Sequence, residues 1–159
     1  MKAALVDVID LRLATLGVEI PPFSPPQGNY LPYVRTGSLV FVAGQGPRWQ
    51  GKLVYKGVVG QDLSVEDGEK AARLCALNVL GQLRHACDGD LSRLVRMVRV
   101  AGLVRCSETF EEQARVLNAA SNLFCEILGE AGKHARIASG THALPSGMAV
   151  EIEAVAEVD

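Results

Sequence analysis

The stretch HARIASGTHALPSGMAVEIEAVAEV, His134–Val158, contains two runs with the composition of β-strands, separated by a turn around Leu144–Gly147. In the first run, Arg136 stands among small residues. In the second, Glu151 and Glu153 alternate with apolar residues, which places the carboxylates on one face of a strand and the apolar side chains on the other. If the two runs are neighbouring strands, a permanent cation and a carboxylate lie close enough to hold an anionic substrate and move a proton. The stretch therefore predicts both part of a sheet and a candidate site.

Upstream of this stretch, alternating and helical apolar spacings predict the remaining elements of one domain. We expect strands at Tyr33–Arg35 and Leu39–Ala43, an edge-like strand at Lys52–Lys56, a helix opened by Ser64 and ended near Cys87–Gly89, a strand at Val95–Val104, and a second helix from Ser107 to Gly129. Asp67 stands three residues after Ser64, as in a capping box, and the second helix has an acidic first turn that suits the helix dipole. Two long helices on one face of a mixed sheet make the fold class α+β.

The N-terminal part of the chain has a different character. Apolar spacing predicts a short helix over Val6–Leu16, ended by Gly17. Four prolines then predict a stiff, extended linker, because proline fixes φ and removes a backbone donor: Pro21, Pro22, Pro25 and Pro26. We therefore divide the chain into an N-terminal helix and Pro-rich linker, residues 1–26, and a main domain, residues 27–159.

A sheet covered by helices on one face leaves its other face open. We expect that open face to carry Tyr33, Arg136 and Glu151, together with apolar groups that need a partner. The sequence therefore predicts a homo-oligomer whose sheets pack together.

Composition limits the class of protein. The chain has 159 residues, 48% of them hydrophobic, and a formal net charge of −2, which fits one domain with a real core and argues against non-specific nucleic-acid binding. Four cysteines without metal-ligand spacing favour a reduced, cytoplasmic setting and predict no metal site. Charged residues interrupt the N-terminal apolar run, so we expect neither a signal peptide nor a membrane span.

Each candidate site residue also has an ordinary structural interpretation. Arg136 grips a carboxylate through two parallel hydrogen bonds, or is a surface arginine on an amphipathic strand. Glu151 is suited to proton transfer if oligomerisation excludes water from its face and so raises its pKa, or it is an ordinary residue of a solvated sheet face. Tyr33 lines a pocket or packs as an aromatic side chain, and Gly44 allows close approach of a ligand or ends a strand. Asn118, a poor helix former inside the second helix, bonds across an interface or faces solvent.

Several short motifs occur in a fixed order between about Tyr33 and Val158: Pro32-Tyr33-Val34, Val42-Ala43-Gly44-Gln45-Gly46-Pro47, Asn118-Ala119, Ala135-Arg136, Leu144-Pro145 and Val150-Glu151-Ile152-Glu153-Ala154. In this order and spacing they resemble the RidA/YjgF family of enamine/imine deaminases, also described as endoribonuclease L-PSP-like. The N-terminal helix and linker resemble those of a variant subgroup of that family.

The resemblance implies a chorismate-mutase-like α+β fold and a homotrimer with clefts between subunits. It implies that Arg136 binds the substrate carboxylate, that Glu151 positions or activates water, and that Tyr33, Gly44, Asn118 and the residue at 138 line the cleft. The implied substrates are 2-aminoacrylate-type enamines and their imine tautomers, which are hydrolysed to 2-oxo acids and ammonia without a cofactor.

The sequence also departs from the family pattern. Ala138 stands where deaminating members often carry cysteine, Ala43 replaces a serine, and His134 stands where proline is usual. These changes alter the shape and polarity of the implied pocket but keep its arginine and glutamate. We therefore expect enamine/imine hydrolysis, with a non-catalytic carrier of 2-oxo acids as the alternative and ribonuclease activity or translation inhibition as the third possibility.

Overall fold

The computed structural model describes residues 8–159, and within that range three α-helices and seven strands follow one another in the order α1-β1-β2-β3-β4-α2-β5-α3-β6-β7. The helices are α1 (Val8–Leu16), α2 (Val65–Ala86) and α3 (Gln113–Leu128). The strands are β1 (Tyr33–Thr36), β2 (Leu39–Gln45), β3 (Arg48–Trp49), β4 (Lys52–Leu53), β5 (Leu94–Arg105), β6 (Ala135–Thr141) and β7 (Val150–Val158). The predicted start of the first helix, at residues 6 and 7, lies outside the described residues.

Five strands form one mixed sheet in the order β1-β2-β7-β5-β6. β5 and β6 run parallel, and the other neighbouring pairs are antiparallel. The helices α2 and α3 cover one face, against which alternate side chains of the central strands are fully buried, for example Val100 and Ile152. The predicted α+β class, a mixed sheet with two long helices on one face, is confirmed.

The edge-like strand predicted at Lys52–Lys56 is shorter than expected. Only Lys52–Leu53 forms a strand, and it pairs with Arg48–Trp49 in a separate two-stranded ribbon. Beyond it, Lys56 makes a single bridge to Met148. This ribbon lies outside the main sheet and contacts α2.

The strands that carry Arg136 and Glu151 are not neighbours, which corrects the expectation drawn from the sequence. β5 lies between β6 and β7, and Val100 in β5 pairs with Arg136 on one side and Ala154 on the other. The reason is the crossover: parallel strands need a long connection, and α3 carries the chain from β5 back to a parallel position at the sheet edge. The chain then passes the end of β5 and enters the centre of the sheet as β7, whose alternate side chains are buried.

The two long helices begin differently. At α2 the predicted capping box is present, since Ser64 Oγ accepts from the Asp67 amide at 3.1 Å and Asp67 Oδ2 accepts from the Ser64 amide at 3.2 Å. α3 begins at Gln113, so the prediction of a start at Ser107 is wrong. Residues 107–110 instead form a turn, closed by a bond from the Phe110 amide to the Ser107 carbonyl, and the Phe110 ring packs against Gly60.

The face of the sheet opposite the helices, called here the open face, is partly apolar. Its exposed apolar side chains are Val34, Phe41, Leu103 and Ile137. Glu151 and Glu153 of β7 also lie on it, and Arg99 Nη1 approaches Glu153 Oε1 at 3.5 Å. An exposed apolar sheet face is typical of a protein–protein interface, and oligomerisation through it stays a prediction.

The segment before β1 packs against the helices. Arg12 of α1 donates from Nη1 to the Ile127 carbonyl at 3.0 Å. Residues 20–30, called here the strap, then cross α2. Pro21 crosses so closely that a Cβ at Gly81 would lie 2.7 Å from its carbonyl oxygen, and the Phe23 ring stacks on His85 at 4.1 Å. The strap is therefore docked on the domain, although the division at residue 26 stays a prediction. No helix within residues 8–159 is long and apolar enough to cross a membrane.

Candidate functional site

The carboxylate of Glu151 lies against Gly44, at the end of β2. A Cβ on residue 44 would be 2.9 Å from Glu151 Cδ and closer still to Oε1, so only glycine leaves room for the acid. Glu151 is half-buried, and this burial raises its pKa, with the negative charge of Glu153 adding to the effect. A carboxylate with a raised pKa is suited to taking up and releasing a proton.

A cavity of about 540 Å³ adjoins this carboxylate. One wall is the strap, through residues 24–27 and Tyr30, and another is the end of β2 at residues 43–46. Gln82 of α2, Arg48 of β3 and the turn after β6 complete it. We call the cavity with Gly44 and Glu151 the glutamate half-site.

Arg136 lies on the other face of the sheet. It stands on the edge strand β6 opposite Val100, so its side chain extends on the helix side and reaches α3. Its Nη1 donates to Asn118 Oδ1 at 2.9 Å and to Ser121 Oγ at 3.2 Å. Both partners are neutral, and within residues 8–159 no carboxylate forms an ion pair with this guanidinium. We call Arg136, Asn118, Ser121 and the neighbouring Ala138 the arginine half-site.

A directed chain of hydrogen bonds supports the arginine. His134 Nδ1 lies 2.6 Å from the Gly132 carbonyl and must donate to it, so Nε2 is an acceptor. Ser121 Oγ, 2.9 Å from Nε2, then donates to the histidine and accepts from Arg136. Burial lowers the pKa of His134, and the positive charge of Arg136 lowers it further. The neutral histidine thus orients the serine lone pair toward the guanidinium.

Tyr33 lies on β1, at the opposite edge of the sheet from β6. Its Oη is 2.8 Å from His85 Nδ1 on α2, so it too extends on the helix side. Burial raises the pKa of Tyr33, and the nearby Asp88 carboxylate adds to the effect. The ring therefore borders the strap through His85, which stacks on Phe23.

The predicted site residues do not meet within one chain. The expectation that the open face carries Tyr33, Arg136 and Glu151 holds for Glu151 alone, because the other two side chains extend toward the helices from opposite sheet edges. Within the chain, Arg136 lies against Asn118 and Gly44 lies against Glu151. Ala138 follows Arg136 on the same face of β6 and pairs with Gly102.

Comparison with known proteins shows to which family the chain belongs. The sequence profile of the family described as "YjgF/chorismate mutase-like, putative endoribonuclease" matches residues 10–158. The chain belongs to this YjgF family. The predicted family is therefore confirmed, and with it the chorismate-mutase-like fold.

Three relatives cover nearly the whole chain. The protein TCP17 of Trypanosoma cruzi is 40% identical over 149 residues, which span 93% of this chain and 92% of TCP17. The crystal structure of Atu1372 from Agrobacterium tumefaciens, a protein of unknown function, has a TM-score of 0.87 at 44% identity, covering 96% of this chain and 94% of Atu1372. A Shewanella oneidensis structure described as a "putative endoribonuclease" has a TM-score of 0.91 at 37% identity, covering 96% and 100%.

More distant YjgF structures share the fold. Escherichia coli TdcF, solved with bound serine, has a TM-score of 0.59 at 22% identity, covering 88% of this chain and 94% of TdcF. RidA from an Antarctic Psychrobacter species has a TM-score of 0.55 at 21% identity, covering 87% and 94%. At this identity the likeness concerns architecture.

Sequence reasoning missed several residues of this YjgF protein that line or support the half-sites: Gln45, Arg48, Gln82 and Ser121. Gln82 could have been found, because it interrupts an apolar run on α2, Val79-Leu80-Gly81-Gln82-Leu83, and is 2% exposed. Ser121 has no such signal, since serine is common on helix surfaces. Within residues 8–159 no group of three histidine, cysteine, aspartate or glutamate side chains is placed to hold a metal ion.

Proposed function

We propose that the protein hydrolyses 2-imino acids and their enamine tautomers to 2-oxo acids and ammonia. The observation that carries the proposal is Glu151. This half-buried carboxylate with a raised pKa adjoins a cavity and has no cationic partner within residues 8–159. A carboxylate with a raised pKa is a stronger base than an ordinary one and can accept a proton from water and return it to a leaving amine.

Arg136 supplies the second requirement, an anchor for the substrate carboxylate. Its guanidinium is held by two neutral oxygens and keeps its full positive charge for an anion. A planar guanidinium binds a carboxylate through paired hydrogen bonds and so fixes the orientation of the adjacent imine carbon.

A second copy of the chain brings the two groups together in this proposal. Arg136 and Glu151 lie on different faces of the sheet, so a small substrate that touches both requires the arginine half-site of one subunit and the glutamate half-site of another. The apolar open face supports such an assembly. We propose a homotrimer with one cleft at each subunit boundary, as the family resemblance implies.

The reaction then needs only orientation and one proton carrier. Water adds to the imine carbon while Glu151 takes its proton, and the carbon–nitrogen double bond becomes a carbinolamine. Starting from the protonated imine, this step leaves a neutral amine on the carbinolamine, and the same carboxyl group then gives its proton to that amine nitrogen. As the carbon–nitrogen bond breaks and ammonia departs, the Glu151 carboxylate takes the proton of the hydroxyl, which becomes the 2-oxo group, and passes that proton to the released ammonia. The four cysteines are all unpaired, which supports a reducing, cytoplasmic setting for this chemistry.

The test is release of 2-oxo acid when an amino-acid oxidase generates the alanine-derived imine in situ. We expect Glu151→Gln to lower kcat by at least 100-fold and Arg136→Ala to raise KM by a similar factor. Matched controls replace ion-pair residues outside both half-sites, Glu66→Gln and Arg73→Ala, and should leave the rate unchanged. A wild-type rate no higher than that of buffer would contradict the proposal.

A non-catalytic role as a small-carboxylate carrier is the alternative, favoured by one observation: residue 138 is alanine, so this position carries no thiol. TdcF has been solved with bound serine, which shows that protein holding a small carboxylate. Tight binding of a 2-oxo acid to wild type, lost in Arg136→Ala and unaccompanied by imine hydrolysis, would establish the carrier role. Cleavage of single-stranded RNA that survives Arg136→Ala would point instead to a ribonuclease.

A further inference from the structure

One residue that lines the cavity beside Glu151 has an unpaired hydrogen-bond acceptor. Gln82 is 2% exposed and lines the cavity. Its Nε2 donates to the Ser24 carbonyl of the strap at 3.0 Å and approaches Gln45 Oε1 at 3.5 Å. Because the Ser24 carbonyl can only accept, the amide orientation is fixed, and Oε1 is left without a partner among the described residues.

The same cavity contains an unused cation. Arg48 is half-buried on β3, and within residues 8–159 its side chain makes no ion pair and no hydrogen bond. A buried acceptor without a donor destabilises the empty protein relative to a paired state, and the half-buried Arg48 has a guanidinium without a protein acceptor among the described residues. A ligand that offers one donor and one acceptor satisfies both.

We propose that this cavity is the side-chain subsite of the enzyme and selects 2-imino acids whose side chain ends in a carboxamide. The amide nitrogen donates to Gln82 Oε1, and the amide oxygen accepts from the Arg48 guanidinium. This inference rests on the proposed imine hydrolysis, since it places the reacting carbon at Glu151 and the side chain beyond it, under the strap.

Charge and shape separate the carboxamide from its isosteres. A carboxylate side chain satisfies Arg48 but turns a lone pair toward Gln82 Oε1, so one buried repulsion remains. A branched apolar side chain of the same shape satisfies neither group and leaves both desolvated. Sites with buried hydrogen-bonding groups discriminate strongly against ligands that leave those groups unpaired.

The experiment compares oxidase-generated imines of asparagine, aspartate and leucine, whose side chains are nearly isosteric, with alanine as the small reference. For wild type we expect kcat/KM for the asparagine-derived imine to exceed that for the leucine-derived imine by at least tenfold, with aspartate between them. Gln82→Met should make kcat/KM for the asparagine-derived imine equal to that for the aspartate-derived imine. Arg48→Met should lower kcat/KM for both of these imines to about the value for the leucine-derived imine. Gln61→Met, at an exposed position outside the cavity, is the matched control and should keep the wild-type order.

The outcomes separate this inference from the proposed function. Wild-type turnover of the alanine-derived imine with equal rates for asparagine and leucine would overturn the subsite and leave imine hydrolysis standing. No turnover of any imine would overturn the proposed function itself. Should Gln82→Met fold poorly, Arg48→Met still decides, because a preference for asparagine over leucine that survives it contradicts the subsite.

Discussion

Glu151 depends on the glycine beneath it. Gly44 leaves space that any side chain would fill, because an added Cβ would collide with the carboxylate. We expect Gly44→Ala to push the acid out of position and lower kcat by about 10- to 100-fold, the usual cost of misplacing a reacting group by about 1 Å. Steady-state kinetics with the alanine-derived imine measure the loss. An unchanged kcat in a variant with an unchanged melting temperature would show that the position of Glu151 does not matter.

The pH dependence of activity follows from the environment of the same residue. Burial and the charge of Glu153 raise the pKa of Glu151, so the active carboxylate is lost as pH falls through that raised value. Glu153→Gln removes the neighbouring negative charge and frees Arg99, and both changes lower the pKa. The acidic limb of the kcat/KM profile should therefore move to lower pH. If the acidic limb of the profile does not move in Glu153→Gln, the group that titrates there is not Glu151.

Ser121 acts on Arg136 by holding it rather than by touching substrate. Ser121→Ala removes one acceptor from the guanidinium and leaves Asn118 as the other. We expect KM to rise about three- to tenfold with kcat within a factor of two, as for loss of one neutral hydrogen bond. Ser121→Thr keeps the hydroxyl and should restore KM, and a fall in kcat alone would contradict a positioning role.

The position of α3 depends on Gly102 of β5. A Cβ there would collide with Leu117, one residue before Asn118, and would push the helix away from the sheet. We expect Gly102→Ala to lower the free energy of unfolding by about 1–3 kcal/mol and to raise KM, because overpacking shifts the element that holds Arg136. Urea unfolding and kinetics measure the two effects. Adding Leu117→Val to Gly102→Ala should restore part of the free energy of unfolding and lower KM again. A double variant with the same stability and KM as Gly102→Ala alone would contradict this account.

The sequence predicted most elements because local patterns determine them. The capping residues of α2 and the alternation in β7 are local, and both are confirmed. The predicted start of α3 at Ser107 is wrong because Phe110 packs on Gly60, a contact between residues far apart in sequence. The prediction that β6 and β7 are neighbouring strands is wrong for a similar reason, since strand order depends on the crossover through α3 rather than on strand composition.

At the scale of the whole molecule, the family could be predicted from the order and spacing of short motifs, and Arg136 and Glu151 stay predicted site residues. The location of Arg136 and Glu151 on opposite faces of the sheet could not be predicted, because the face on which a side chain lies depends on strand register. Arg136 pairs with Val100 and Glu151 with Leu103, and these two β5 residues lie on opposite faces. The strap wall over the cavity was also beyond prediction, since it depends on long-range contacts with α2.

The central claim is that each active site takes Arg136 from one subunit and Glu151 from another. The most direct measurement is the activity, at substrate concentrations well below the wild-type KM, of mixed oligomers made by co-expressing Arg136→Ala and Glu151→Gln chains in equal amounts. Under these conditions each variant alone is expected to retain at most about 1% of wild-type activity. Random assembly gives about a quarter of the clefts both intact residues, so we predict about a quarter of wild-type activity. Mixed oligomers of the correct mass that are no more active than either variant alone would contradict a shared site.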